Sequence, residues 1–168
     1  MKGKLVRVSL LVAVCCAIAS APVGCAAKRV QTGLDRLESA DLADPESVQT
    51  EQERLMARAG EFFDVCVADK FTSKITYERL ERFFESSKER DAFVATFAAR
   101  LRKAGVRGDR LKSYEIERVA IARNEAVGFV RARLKGHFWG PFNAELVEVV
   151  VWKRRGAEWF VWPQQHSE

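Results

Sequence analysis

Glu148 is the one carboxylate inside an otherwise apolar run, Leu146-Val147-Glu148-Val149-Val150-Val151. A carboxylate on an apolar sheet face is costly to ionise and can serve as a general acid or base. The plainer expectation is that it pairs with a neighbouring arginine. Glu145 stands three residues earlier, so on a strand the two would face opposite sides and form no carboxylate pair. His137 precedes an aromatic run, Phe138-Trp139-Gly140-Pro141-Phe142. It would sit at the mouth of a pocket or simply in solvent. The rings, Trp139 among them, would grip a ligand, a partner or a membrane surface, or else plug the open end of a sheet. His137 and His166 are far apart and lack the i, i+4 spacing of a metal pair, so no metal is expected. Cys66 lies among Phe62, Phe63, Val65 and Val67 and reads as a small buried hydrophobe; a lone thiol without a nearby histidine is a poor nucleophile. No Ser/His/Asp or Cys/His constellation and no nucleotide loop is visible. No cofactor is expected.

The elements that must place these residues are α+β in order. Asp44-Pro45-Glu46 has the residues of a helix start, and Leu55, Ala59, Phe62 and Cys66 then mark one face of a long helix running to about Lys70. A shorter helix is predicted from Thr76, with Leu80, Phe83 and Phe84 on one side. Ser86 with Glu89 fits a capping box ahead of a third helix bearing Phe93, Phe97 and Leu101, stopped at Gly105. After Gly108 the pattern turns to strands. Tyr114 to Ala122 alternates with one slip near Arg118, which predicts a bulge. Asn124-Glu125 suits a hairpin turn. Val130, Ala132 and Leu134 alternate with Arg131, Arg133 and Lys135, giving one basic face that is either solvated or able to bind anionic lipid or cell-wall polymer. Residues 136–141 read as a loop and Phe142 to Lys153 as a long strand. A two-residue turn at Arg155-Gly156 would put Trp152 opposite Trp159 and Val151 opposite Phe160, leaving both sheet faces apolar. One face should cover the helices. The other calls for a partner chain or an apolar ligand, or forms an exposed patch, which makes Trp152 and Trp159 candidate partner- or ligand-binding residues beside His137, Trp139 and Glu148.

The first residues belong to an address rather than to this domain. Lys2, Lys4 and Arg7 form a positive start, Val8 to Ala19 is apolar or small, and Ala19-Ser20-Ala21-Pro22-Val23-Gly24 is turn-prone. That is a secretory signal over residues 1–24; the apolar run is shorter than the roughly 20 residues of a membrane span. Val23-Gly24-Cys25 resembles the end of a lipobox, with Pro22 where that pattern usually has a larger aliphatic residue. The resemblance implies that Cys25 becomes the first mature residue and carries the lipid, and that Ala26, which is not the Asp of inner-membrane retention, directs the protein to an outer membrane where one exists. Cleavage after Ala21 or Ala27 instead would give a soluble exported protein. Residues 25–44, polar and mixed in charge, are expected to be a flexible tether, 45–163 the domain, and 164–168 a tail. The whole chain carries 28 basic and 23 acidic residues, net +5. Without Lys2, Lys4 and Arg7 the balance is 25 to 23, too even for a nucleic-acid partner.

Helices first, then an antiparallel meander of about four strands ending in Val149-Val150-Val151-Trp152-Lys153-Arg154-Arg155-Gly156-Ala157-Glu158-Trp159-Phe160-Val161, resembles the NTF2-like (SnoaL/ketosteroid-isomerase-like) superfamily. The resemblance spans about residues 46–163 and implies a cone in which a curved sheet wraps the long helix, leaves a pocket, and dimerises through its outer face. Two functions follow as expectations. One is a noncatalytic membrane-anchored lipoprotein that binds an envelope protein, itself or an apolar ligand. The other is an exported isomerase or dehydratase using Glu148 or His137 as its acid/base.

Overall fold

The computed structural model describes residues 29–138 and 143–163. Cys25, Trp139, His166, the expected signal and the expected tail lie outside the described residues. The class is α+β, as the sequence order requires.

The long helix α2, Gln49–Ala68, forms on the expected stripe, with Leu55, Ala59, Phe62, Phe63 and Cys66 buried. Its start is not Asp44. The Asp44 carboxylate accepts from the Glu46 amide at 3.0 Å and the Asp44 carbonyl accepts from Ser47 N and Oγ, so Pro45 to Ser47 is a turn. Helix α3, Lys74–Leu80, is capped by Ser73, whose hydroxyl accepts from Thr76 N. It passes into a 3-10 turn, Glu81–Phe83, that buries Phe83. Helix α4, Ser87–Ala104, begins at the expected cap, Ser86 Oγ accepting from Glu89 N at 3.3 Å, and ends at Gly105 with φ +85.

Strands β2 (Leu111–Ile121), β3 (Val127–His137), β4 (Asn143–Arg155) and β5 (Glu158–Val161) make four antiparallel strands. Among the described residues the sheet is open rather than closed on itself. The bulge falls where the alternation slips, between Ile116 and Arg118. The last hairpin differs from the expected register. Trp152 opposes Val161, and Arg154 opposes Trp159. The turn is therefore Gly156-Ala157, with Gly156 at φ +61, a conformation that glycine adopts without strain. This moves the pairing by one residue on each strand, so Trp152 and Trp159 stay on one face, but diagonally placed. His137 also moves: β3 continues through it, and it pairs with Asn143 rather than lying in a loop.

The largest departure lies in the expected tether. Strand β1, Arg29–Thr32, runs parallel to β4, Arg29 beside Glu145 and Thr32 beside Glu148. Helix α1, Leu34–Ser39, then folds over the outer sheet face. Gly33 makes this bend at φ +74, so close to β4 that a Cβ there would lie 3.2 Å from Val149 Cβ. Leu37, 3% exposed, packs with Ala120, Phe129, Val149 and Val151. The second apolar face is thus covered, at least in part, by the chain's own N-terminal segment. Mixed charge hid this because one buried leucine per short helix leaves no periodic stripe.

The inner face holds the main core. Phe62 is its hub, edge-to-face with Phe63, Phe83, Phe93 and Trp152 at ring-centroid distances of 5.2–5.6 Å. Val130, Ala132, Leu134, Leu146 and Val150 close it from the sheet side.

Candidate functional site

β4 alternates strictly, and its even-numbered residues face the helices: Ala144, Leu146, Val150 and Trp152 all join the main core. Glu148 is the polar member of that row and is 1% exposed. Arg100, on the α4 turn after Phe97, reaches it from across the helix–sheet interface, and the two form a direct ion pair. A buried carboxylate persists only with such compensation.

The surrounding cleft has a structural origin. Along its free edge, β4 pairs with β1 up to Glu148 and with β5 only from Trp152 onward. Between these partners, Val149 to Val151 borders a small opening also lined by Arg36, Thr96, Arg100 and Trp162. Trp162 N donates to Val151 O at 2.8 Å and closes part of it. The cavity measures about 40 Å³. That volume admits a few water molecules, well short of the 300–1,000 Å³ typical of ligand sites.

His137 does not join this site. It is exposed, on the opposite sheet face, and its partner Asn143 lies five positions before Glu148 on β4, roughly 16 Å along the strand. No acid/base pair of Glu148 with His137 exists. Trp152 and Trp159 are 0% and 2% exposed, inside the core. Trp159 only borders an open groove beside Arg54 and Arg58, and the indole N–H groups of both find no acceptor among the described residues. Among the described residues the tryptophan that meets solvent is Trp162, 38% exposed. With Val127 and Phe129 it floors an open groove of about 320 Å³ beside Ala40, Asp41 and Arg123. Only the exact turn position would have singled it out, since the expected register gave it a partner on β4.

The two arginines of the basic β3 face are neutralised by their neighbours, whereas Lys135 makes no ion pair among the described residues. Arg131 lies 2.7 Å from Glu117, the bulge residue of β2, and Arg133 pairs with both Glu117 and Glu145. Cys66 is fully buried, and desolvation pushes its thiol well above the usual range. Burial, and then a 2.8 Å hydrogen bond to Asp64, push the Tyr114 hydroxyl up to about 12. Neither group lines the Glu148 cleft. Among the described residues no cluster of His, Cys, Asp and Glu is placed to hold a metal, and no helix is long and apolar enough to cross a membrane.

Compared with protein-family models, curated proteins and solved structures, the chain matches none.

Proposed function

We propose that this chain is an exported lipoprotein, tethered through Cys25, whose small α+β domain acts by binding rather than by catalysis. The NTF2-like reading belongs to this proposal: helices followed by an antiparallel meander support it, and the cone is its expected shape. The observation that carries the binding reading is the filled interior. A cavity of about 40 Å³, with its carboxylate engaged by Arg100, leaves no room for a substrate beside an acid/base. The groove around Trp162 is then the best-supported place for an envelope partner or an apolar ligand, since exposed aromatic anchors dominate such contacts.

Intact mass of the protein purified from its native membranes, beside a Cys25→Ala form, tests the anchor. A chain beginning at Cys25 with added acyl mass, lost in the variant, is the expected result. An unmodified chain beginning after Ala21 or Ala27 refutes the lipoprotein. For the binding surface, Trp162→Ala should abolish co-purification of a partner while the fold persists; unchanged capture would remove the groove from consideration.

A further inference from the structure

The described fold begins at Arg29, four positions after Cys25. Four residues span at most about 14 Å even when fully extended. If Cys25 carries the lipid, the start of β1 is held that close to the bilayer, and the domain cannot turn freely on a long leash. Which end of the fold lies there is fixed by register. Arg29 is level with Glu145, and Glu145 with Lys135. Lys135 therefore stands two strand spacings, about 10 Å, from Arg29.

The same end gathers the rest of one layer. Leu111 pairs with Gly136, and Lys112 Nζ donates to Asn143 Oδ1 at 2.8 Å. A Cβ at Gly136 would lie 2.7 Å from Val106, so the segment after α4 packs directly on it. Phe71 N donates to Asp109 O at 2.8 Å, which brings the loop after α2 alongside. This end is strongly basic. Its carboxylates are answered locally: Asp109 by Arg102 at 3.8 Å, Asp69 by Arg110 at 3.3 Å, and Glu145 by Arg133 at 3.6 Å. Lys70, Lys103, Arg107, Lys112 and Lys135 are left without an acidic partner among the described residues. From Cys25 onward the whole chain carries 25 basic against 23 acidic residues, so the cationic excess is concentrated here.

We infer that this end of the domain is a membrane-facing surface that lies against anionic phospholipid headgroups and sets the orientation of the anchored protein. The inference rests on the lipoprotein reading for its geometry. Two independent features converge on it, the short exit of the chain and the unanswered charge. A cation is attracted to an anionic bilayer within about one Debye length, roughly 10 Å, and a tether of at most about 14 Å lets this layer come within that range. The groove at Trp162, by the β2–β3 turn and the far ends of these strands, is then presented away from the bilayer.

The test uses the full chain from membranes, its lipid state read by intact mass, reconstituted in vesicles with a headgroup-attached quencher. One fluorophore is placed at Lys112→Cys and, in a second preparation, at Glu125→Cys in the opposite turn. On phosphatidylglycerol-containing vesicles the probe at 112 should be quenched several-fold more than that at 125. The difference should collapse on pure phosphatidylcholine, and in a chain that also carries Lys70→Glu, Lys103→Glu and Lys135→Glu. Equal quenching of the two probes in a lipidated chain overturns the inference and leaves the anchor standing, as does a difference that persists on phosphatidylcholine. Shielding of position 112 from an aqueous thiol reagent in native membranes but not in vesicles would put a protein there and also overturn it. If the mass shows no lipid, the anchor reading falls by itself. Sedimentation of that soluble chain with phosphatidylglycerol vesicles then decides: binding weakened about a hundredfold by the three charge reversals supports the surface, and no binding overturns it.

Discussion

Removing Arg100 isolates the contribution of the Arg100–Glu148 pair. Glu148 is 1% exposed, while the Arg100 side chain keeps 21% of its surface. In Arg100→Leu the carboxylate stays on the inner face without this cation. Removing one partner of a buried ion pair costs about 3–5 kcal/mol. The lower end applies, because Arg36 lines the same cleft and its 40 Å³ admits water. About 3 kcal/mol corresponds to a fall in Tm of roughly 10 °C for a domain of this size. Urea unfolding followed by tryptophan fluorescence reads it directly, since Trp152 and Trp159 are buried. Glu148→Leu alone should cost comparably by leaving the guanidinium beside an apolar strand. The double change Arg100→Leu with Glu148→Leu should recover most of the loss, because well-packed apolar pairs replace buried ion pairs at little cost. A single change below about 1 kcal/mol, or a double change that merely adds the two singles, refutes the reasoning; the expected coupling is about 2 kcal/mol or more.

Gly128→Ala should destabilise by about 1–3 kcal/mol, since its Cβ would fall 2.4 Å from Leu55 Cδ2 and 3.2 Å from Trp159; an unchanged urea midpoint would show that this corner is loosely packed. Leu37→Ala should cost about 2 kcal/mol and speed hydrogen exchange across residues 34–39, whereas a loss below about 0.5 kcal/mol would mean that α1 is hardly docked. The Tyr114 hydroxyl is raised from 10.0 to about 12 in the fold, so its contribution is complete below pH 10 and fades as pH rises toward 12. Tyr114→Phe should therefore flatten the stability decline over that window, and an identical slope in both chains would count against the assignment. Cys66 should react with a thiol reagent only as fast as the domain unfolds; rapid reaction in the native state would contradict its burial.

What could be read from the residues was the periodic part. The stripe of α2, the Ser86 cap and the slip at Arg118 each rest on a local rule, and each is found. Three features escaped. The N-terminal segment has no amphipathic period, and β1 exists only because the edge of β4 offers it a parallel partner. The hairpin register turned on which residue beside Gly156 completes the turn, Arg155 or Ala157, a choice that alternation leaves open because both registers put the two tryptophans on one face. The Asp44 side chain satisfied a turn amide rather than a helix end. For the candidate site, the apolar run around Glu148 pointed to a buried carboxylate, and the expected arginine partner is there. Its identity as Arg100, on a helix almost fifty positions away, follows from packing and not from pattern. Trp152 and Trp159 lie in the core and Trp162 in the open, because alternation locates a face but not its cover.

The parallel contact of β1 with β4 sets an order of events in time. A ribosome, or a translocation pore fed from the N-terminus, releases Arg29–Thr32 first and Glu145–Glu148 near the end. Until those late residues emerge, β1 has no edge to join, and Leu37 has no Val149 or Val151 to settle on. Helices α2 to α4 can gather earlier through contacts near in sequence, but the sheet's last border is closed by the oldest stretch of polypeptide. A chain truncated before β4 would carry an orphaned strand and bare outer surface, and would be a target for chaperones and proteases. The earliest-made piece of the domain finds its place only once β4 has been made.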